Sequence, residues 1–485
     1  MAIADTQRSK WLALALLAAA QFVVVLDASI VNVALPSIGS ALNFPQDNLS
    51  WVVNAYTLFF GGFLLLGGRL ADRLGRRRMF IAGMILFALA SLGGGLAQSE
   101  LWLIIARSVQ GLGAALVSPA ALSIVTTTFT EGAERNKALG VWGAVAGSGG
   151  AAGVLLGGVL TKFAGWEWVL FVNVPIGLAA AFLAPRLLGE SRDHRTKSFD
   201  VAGAVTVTGG LALLVYSLVD ANQAGWGSAR TIGLGAVSLA LLAAFVVIER
   251  RTREPLVPFS IFRLKTLRGS NIVALLIGMS LFSMFFFISL YMQQILGYDA
   301  LKAGLAYLPL AVSIIISAGI ASQLVTRIGF KPTLITGMLL ITGALLWFSQ
   351  VSAPGGSYLG DVLFPSLLAA VGLGFAFVSV TIGAVAGTND ENAGLASGLI
   401  NTSQQVGGAL GLAILAAVAN ASTDNAVGVG RVVALNDGFR DAFLVGSFFA
   451  LAGAILAAVL IDSRDSREAV EAIQRGEEAP AAIAA

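Results

Sequence analysis

Apolar residues fall in stretches close to 20 residues long from one end of this chain to the other, separated by short polar breaks. A helix of that length, rising about 1.5 Å per residue, crosses the ~30 Å hydrocarbon layer of a bilayer. Transmembrane β-strands alternate apolar and polar residues over ~10 positions, whereas these stretches are continuous and rich in Leu, Ala, Val and Gly, so helices are predicted. The breaks delimit fourteen of them, at 11–36, 50–69, 79–98, 101–125, 138–163, 167–187, 201–220, 231–249, 269–294, 302–326, 332–351, 360–386, 394–420 and 440–461.

The pattern describes an all-α polytopic membrane protein, and composition agrees. Of 485 residues, 57% are hydrophobic and 12% charged, against about 25% charged in soluble domains, which excludes a soluble multidomain enzyme. Arg8 and Lys10 before an apolar run, with Ala18-Ala19-Ala20 behind, have the outline of a cleavable signal. The run nevertheless continues to Pro36 and carries an acid, Asp27, as a first spanning helix would. The net charge of +3 is spread over short loops, so nucleic acid is not an expected partner. With no cysteine and one histidine, His194, neither a disulfide frame nor a metal site is expected. No phosphate-binding lysine loop, HExxH motif or membrane-embedded carboxylate pair occurs, so no enzyme and no cofactor are expected.

Charge also orients the chain. With the N-terminus inside, 24 of the 30 Lys and Arg residues fall in cytoplasmic segments, 5 fall outside, and Arg107 alone lies within a span. That bias supports an even helix count with both termini cytoplasmic in a cell inner membrane.

The chain partly repeats itself. Leu70-x-x-Arg73-Leu74-Gly75-x-Arg77 returns 254 positions later as Leu324-x-x-Arg327-Ile328-Gly329-x-Lys331, and Gly153 and Gly157 return as Gly407 and Gly411 at the same shift. Chance recurrence among 57 glycines is the alternative, but the basic turn in the same register argues for duplication. Helices 1–6 then correspond to 9–14, giving a first half at 1–200, an insert of helices 7 and 8 at 201–268, a second half at 269–461 and a solvated, partly disordered tail at 462–485. The same shift puts Leu281 opposite Asp27.

An ionisable group at membrane depth costs at least ~2.5–3.5 kcal/mol and is a functional candidate by default. Asp27 and Arg107 qualify, at ~13 Å and ~9 Å below the outer ends of helices 1 and 4, depths compatible with contact. A carboxylate beside a guanidinium can load and release a proton as water access and pairing change, while a static buried ion pair is the alternative. In the turn between helices 2 and 3, Gly68, Asp72, Arg73, Gly75, Arg76 and Arg77 form a candidate cytoplasmic gate, although a basic loop that only sets topology would explain the arginines. Helix 5 carries Gly149, Gly153, Gly157 and Gly158, either a gating surface or plain close packing. Candidate cavity residues are Asn32, Gln110, Asn401, Gln404, Gln405, Phe286 and Tyr291, with interhelical hydrogen bonding the alternative for the polar run and packing for the aromatics.

Taken together, these motifs resemble the fourteen-helix drug:proton antiporters of the major facilitator superfamily over almost the whole chain. Leu26-Asp27-x-x-Ile30-Val31-Asn32-Val33-Ala34-Leu35-Pro36 is similar to that family's helix 1 motif, Gly68 to Arg78 to its loop 2–3 motif, Arg107 with Gln110, Gly111 and Gly113 to its helix 4 motif, and Gly149-x-x-x-Gly153-Val154-x-x-Gly157-Gly158 to its helix 5 antiporter motif. Trp166-Glu167-Trp168, Asn173-Val174-Pro175-Ile176-Gly177 and the run from Ser397 to Gly408 are also family-like. The resemblance implies a major facilitator fold of two six-helix halves plus two inserted helices. It further implies proton coupling through Asp27 and Arg107, a proton gradient as the energy source, and export of small lipophilic drugs or antibiotics by a monomer among membrane lipids. Two positions depart from the pattern: Val154 stands where the family has Pro, and Glu167 where it has Arg. The lack of a deep acid in helices 9–14 points to neutral, zwitterionic or singly charged substrates. Rival expectations are a dedicated exporter of one metabolite, lipid or self-made antibiotic, and a membrane receptor or scaffold that transports nothing.

Overall fold

The structure is a computed structural model that describes residues 7–45, 48–129, 133–191, 200–252, 255–257, 259–385, 390–426 and 428–474. His194 and residues 475–485 lie outside the described residues. The first six long helices are α1 (Gln7–Ala41), α2 (Trp51–Leu74), α3 (Arg76–Gly95), α4 (Glu100–Thr128), α5 (Ala133–Phe163) and α6 (Trp168–Leu187). Next come α7 (Val201–Ala224), α8 (Ala229–Arg251), α9 (Lys265–Ile295) and α10 (Ala300–Ile328). The series closes with α11 (Phe330–Phe348), α12 (Tyr358–Ala384), α13 (Asp390–Asn425), α14 (Arg431–Leu460) and a shorter α15 (Ser463–Gln474). Among the described residues, twelve of these are apolar enough over their length to span a bilayer, and α2 and α5 contribute the shorter apolar stretches Trp51–Leu64 and Ala152–Phe163, consistent with fourteen. An even number of crossings returns the chain to the face it started from. The side holding the start of α1 and the end of α14 is termed the termini face, and the other the distal face.

Several helices outrun their apolar stretches. Hydropathy locates the part of a helix that sits in lipid, but a helix continues into water wherever its polar groups find partners. Thus α14 begins at Arg431, nine residues before its predicted start, with Arg440 beside Asp437 at 3.9 Å and Asp441 accepting from Ser422 at 2.6 Å. The tail also differs from expectation, because α15 is docked. Its Ser466 accepts the Lys331 N–H at 3.2 Å, and Asp465 accepts a hydrogen bond from Thr266.

Helix association in lipid relies on close packing, since lipid tails are as apolar as the side chains. In one group α1 packs on α5 and α6, and α4 on α2 and α3; in another α9 packs on α13 and α14, and α12 on α10 and α11. The α7–α8 hairpin leans on α2 and α13 through α7. In the most apolar window of α8 only 6% of residues are buried, against 67% in α1 and α9, so α8 is the peripheral member. Glycines make the tightest crossings. A Cβ on Gly67 would stand 2.0 Å from the Ala115 carbonyl oxygen, and one on Gly153 2.7 Å from that of Leu26.

The internal repeat is visible in three dimensions. Gly75 and Gly329 turn the chain with φ of 113° and 92°, a conformation open to glycine at little cost. After each turn the basic residue two positions on clamps the end of its group's last helix: Arg77 Nη1 donates to Leu188 O at 3.1 Å, and Lys331 Nζ to Ile461 O at 2.7 Å. Glycine contacts also align the first helices. Gly153 and Gly157 approach the carbonyls of Leu26 and Ile30 on α1, while Gly407 and Gly411 approach those of Leu275 and Met279 on α9. The residue opposite Asp27 is therefore Leu276 and not Leu281, because the chain from these contacts on α9 to the turn at Gly329 is longer than that from α1 to the turn at Gly75, so the 254-residue shift of the later turns does not hold on the first helices.

Gly67→Ala is expected to destabilise the fold by about 1–3 kcal/mol through overpacking. Gly93→Ala, which meets nothing within 4 Å, should be neutral or gain up to ~1 kcal/mol of helix propensity. Thermal unfolding of the two purified variants in detergent separates them.

Candidate functional site

Asp27 sits in the middle of α1 with 0% of its surface exposed, and Arg107 on α4 with 1%. Arg107 Nη1 donates to Asp27 Oδ2 at 2.6 Å. The other carboxylate oxygen, Oδ1, accepts from Gln110 Nε2 at 2.8 Å and from Asn173 Nδ2 on α6 at 2.7 Å. Both amides also donate to Ser91 Oγ on α3, at 3.0 and 3.1 Å, and Ser91 donates onward to Leu170 O at 2.8 Å. Arg107 is held in turn by Gln110 Oε1 at 2.7 Å and by Val52 O on α2 at 3.0 Å. The ring of Tyr56 lies 4.4 Å beneath its guanidinium, and Tyr56 Oη donates to Val24 O at 3.1 Å. Five helices thus converge on one carboxylate.

Each position follows from helical spacing. Arg107 and Gln110 are three residues apart and share a face of α4, so one helix presents both a cation and an amide to Asp27. Gly111 beside them lets α2 close in, since a Cβ there would stand 2.4 Å from Tyr56 O. Buried charges are tolerated only when paired and hydrogen-bonded, and here the ionised Asp27 accepts three donors. Protonating Asp27 would replace an acceptor by an O–H and remove the charge that Arg107 answers. Proton binding and the Arg107 pairing therefore compete for the same oxygens.

The remaining candidates divide. The structure brings Asp27, Arg107 and Gln110 together, and Gln110 belongs to the Asp27 cage with 0% exposure, not to an open cavity. Asn32 lies at the contact of α1 with α9, where its carbonyl accepts from Ser289 Oγ at 2.9 Å and its own Oδ1 is buried without a partner. Phe286 and Tyr291, expected at a cavity, are instead buried, 3% and 1% exposed, in an apolar cluster that draws residues from both groups. Phe286 meets Phe287 edge-on at 5.1 Å, and Tyr291 Oη donates to Ser352 O at 2.9 Å, because aromatic bulk fills the space between α9 and its neighbours. The polar run of α13 is shared out: Asn401 is exposed, Gln404 abuts Gly278 through its carbonyl, and Gln405 packs its Cβ against Gly61 of α2. In the α2–α3 turn, Gly75 and Arg76–Arg77 grip residues 188–191, with Arg76 N donating to Ser191 O at 3.0 Å and Arg77 N to Glu190 at 3.2 Å. A Cβ on Gly68 would stand 3.6 Å from Pro119 and Arg73 is partly buried, while the side chain of Asp72 lies outside the described residues.

Helix α5 touches both groups. Gly149, Gly153 and Gly157 face α1, whereas a Cβ on Gly158 would stand 2.6 Å from Ala300 O, and one on Gly304 2.8 Å from Val154 O. Val154 keeps its N–H, so α5 runs unbroken where a proline would interrupt it. The same side is tied by Gln293 Nε2 to Val33 O at 3.1 Å and by Lys162 to Asp299 at 2.7 Å. Lys162 holds the Asp299 carboxyl below the usual range, so this pair stays charged at neutral pH. These contacts close the distal face.

Comparison with known proteins accounts for this architecture. The Major Facilitator Superfamily pattern matches residues 17–412. The chain belongs to that superfamily. It is 42% identical to the cephamycin export protein CmcT of Amycolatopsis lactamdurans over 92% of both chains, and 40% identical to the puromycin resistance protein pur8 of Streptomyces alboniger over 94% of this chain and 92% of that one. It is 36% identical to the tetracenomycin C resistance and export protein of Streptomyces glaucescens over 84% and 75%. A crystal structure of a bacterial homologue of the lysosomal transporter Spinster superposes with a TM-score of 0.64 at 15% identity, covering 96% of this chain and 99% of that one, which places the fold. As a major facilitator protein, the chain is a multi-pass transporter of small molecules in a bacterial cell membrane.

Three cage residues, Ser91, Asn173 and Tyr56, lack the charge that marks Asp27 and Arg107 in the sequence. Asn173 stood in a family-like stretch, and a buried amide in an apolar run is the signal that marks it.

Arg107→Ala should cost about 3–5 kcal/mol of stability by stranding the Asp27 charge. Adding Asp27→Asn should recover much of that loss, because no uncompensated charge is left. Denaturation of the two single variants and the double variant measures the coupling, and additive losses would show that the pair is not what holds the site.

Proposed function

We propose that this transporter is a proton-coupled exporter of lipophilic drugs or antibiotics that works by alternating access between helices α1–α6 and α9–α14. The observation that carries this reading is the carboxylate of Asp27, fully buried, answered by Arg107 and caged by neutral donors. A carboxylate in this position can exist in two states, ionised and paired or protonated and released. Bound substrate and bound proton would favour opposite openings of the bundle, and such coupling is reciprocal. The distal contacts of Lys162 with Asp299, and of α5 with α10, then form the gate on the outer side. The basic-residue bias supports cytoplasmic termini in a cell whose inner membrane holds the chain, which would work as a monomer. The proton gradient would supply the energy without a cofactor.

The three relatives are each named for one antibiotic, cephamycin, puromycin or tetracenomycin C. That favours, as a second reading, a narrow exporter dedicated to one antibiotic. The breadth of a transport panel separates the two readings. Leu276 opposite Asp27 supplies no second acid, which fits substrates that are neutral, zwitterionic or singly charged.

In vesicles carrying an imposed pH gradient, Asp27→Asn should abolish gradient-driven substrate movement while substrate binding is retained. Transport that survives unchanged would make Asp27 structural and the mechanism wrong. In the same assay, monocationic dyes should compete with a neutral substrate and dications should not, and equal competition by dications would count against the charge preference.

A further inference from the structure

Two more acidic side chains are buried where α7 begins and α8 ends, far along the chain from the Asp27 cage. Asp200 caps α7, its Oδ1 accepting the Gly203 N–H at 2.7 Å, and Glu249 accepts the Val257 N–H through Oε2 at 3.0 Å. Asp200 is 5% exposed and Glu249 3%. The remaining oxygen of each, Asp200 Oδ2 and Glu249 Oε1, is buried without a hydrogen-bond donor. Both are aimed at one spot, lying 2.5 and 2.7 Å from where a Cβ on Gly203 would stand, so the absence of a side chain there leaves the two oxygens facing each other.

The charges around the pair do not neutralise it. Among the described residues no lysine or arginine forms an ion pair with either carboxylate. Arg250 and Arg251, next to Glu249 on α8, are exposed, and Arg69 from α2 donates instead to the carbonyl of Pro255. Two buried carboxylates that face each other in this way cannot both ionise cheaply, because burial penalises each charge and like charges repel. One proton between them turns that repulsion into an O–H···O⁻ hydrogen bond, which is stronger than a neutral one.

We propose that Asp200 and Glu249 form a proton-binding site, one proton being shared between Asp200 Oδ2 and Glu249 Oε1, at the termini-face end of the α7–α8 hairpin. The site stands apart from any coupling through Asp27 and does not depend on it. The proton holds a strap in place. Residues 255–257 are tied to Glu249 at Val257 and to α2 at Arg69, so loss of the proton pushes the carboxylates apart and loosens the hairpin from α2. The inserted helices thereby respond to proton concentration on the termini face.

The test is infrared difference spectroscopy of the full-length protein in lipid vesicles, titrated from about pH 5 to about pH 9. Wild type should show a protonated-carboxyl C=O band that titrates away on the alkaline side. The band should be lost in both Glu249→Gln and Asp200→Asn, whose amides donate to the remaining carboxylate, and kept in Asp27→Asn, which removes the other buried acid. Thermal unfolding supplies a second readout. Stability supplied by the shared proton is present while it is bound and lost as pH rises, so the wild-type midpoint should fall towards alkaline pH while that of Glu249→Gln stays level. A wild-type band that survives both substitutions would overturn the proposal. So would ionised carboxylates throughout, with a midpoint that rises on adding sodium at fixed pH, which would make the pair a metal-cation site.

Discussion

The burial of one carboxylate and one guanidinium in a layer without water constrains the whole first group of helices. Each ion taken from water costs several kcal/mol, and the mutual attraction offsets this only with short contacts and additional hydrogen bonds to the charged groups. Asp27 and Arg107 meet that condition at 2.6 Å, with Gln110, Asn173 and Ser91 completing the shell. No single helix can supply these partners, so α1, α2, α3, α4 and α6 must all reach the same depth. Gly111 is one consequence, since a side chain at that point would hold α2 away from α4 and leave Arg107 without Val52 O or the ring of Tyr56.

The second group repeats the mechanical parts without the charge. Gly407 and Gly411 hold α9 as Gly153 and Gly157 hold α1, and Lys331 clamps the end of α14 as Arg77 clamps the end of α6. In place of a caged acid, the second group is filled with aromatic rings. Phe287 touches Phe439 and Phe443, and Phe443 stacks on Phe348 at 5.1 Å. An apolar core tolerates small repacking, whereas a buried ion pair does not tolerate the loss of one partner. The two groups therefore present one geometry with two responses, one sensitive to charge and one not.

Much of this was legible in the residues. Fourteen apolar stretches were countable because lipid allows no other way to satisfy a backbone than a continuous helix. Asp27 and Arg107 stood out because charges at that depth are rare. The repeat in the turns was legible because positive φ demands glycine and the clamp demands a base two residues later. What stayed hidden were properties of neighbours in space. Ser91 is an ordinary residue in an apolar run until α4 and α6 bring two amides to it. Phe286 and Tyr291 look like cavity aromatics until the fold buries them, Phe286 against Phe287 and Tyr291 against the backbone at Ser352. The offset between Leu281 and Leu276 arises from the unequal stretches of chain that lead to the two turns, which helix periodicity does not record.

Helix α1 is where the caged acid and the contact between the groups meet. Asp27 is fixed by its cage, while the carbonyls of Asn32 and Val33, less than two turns further along, receive Ser289 and Gln293 of α9. On either side of Asp27 the carbonyls of Leu26 and Ile30 lie against Gly153 and Gly157 of α5, and α5 itself touches α10 through Gly158. A rigid helix held at three such points cannot shift at one of them alone. A change in the number of donors that Asp27 requires must therefore appear as a change in how α1 and α5 sit, and hence in the contacts that close the distal face. Coupling of this kind needs no long relay of side chains, because one helix spans the distance from the buried charge to the boundary between the two groups.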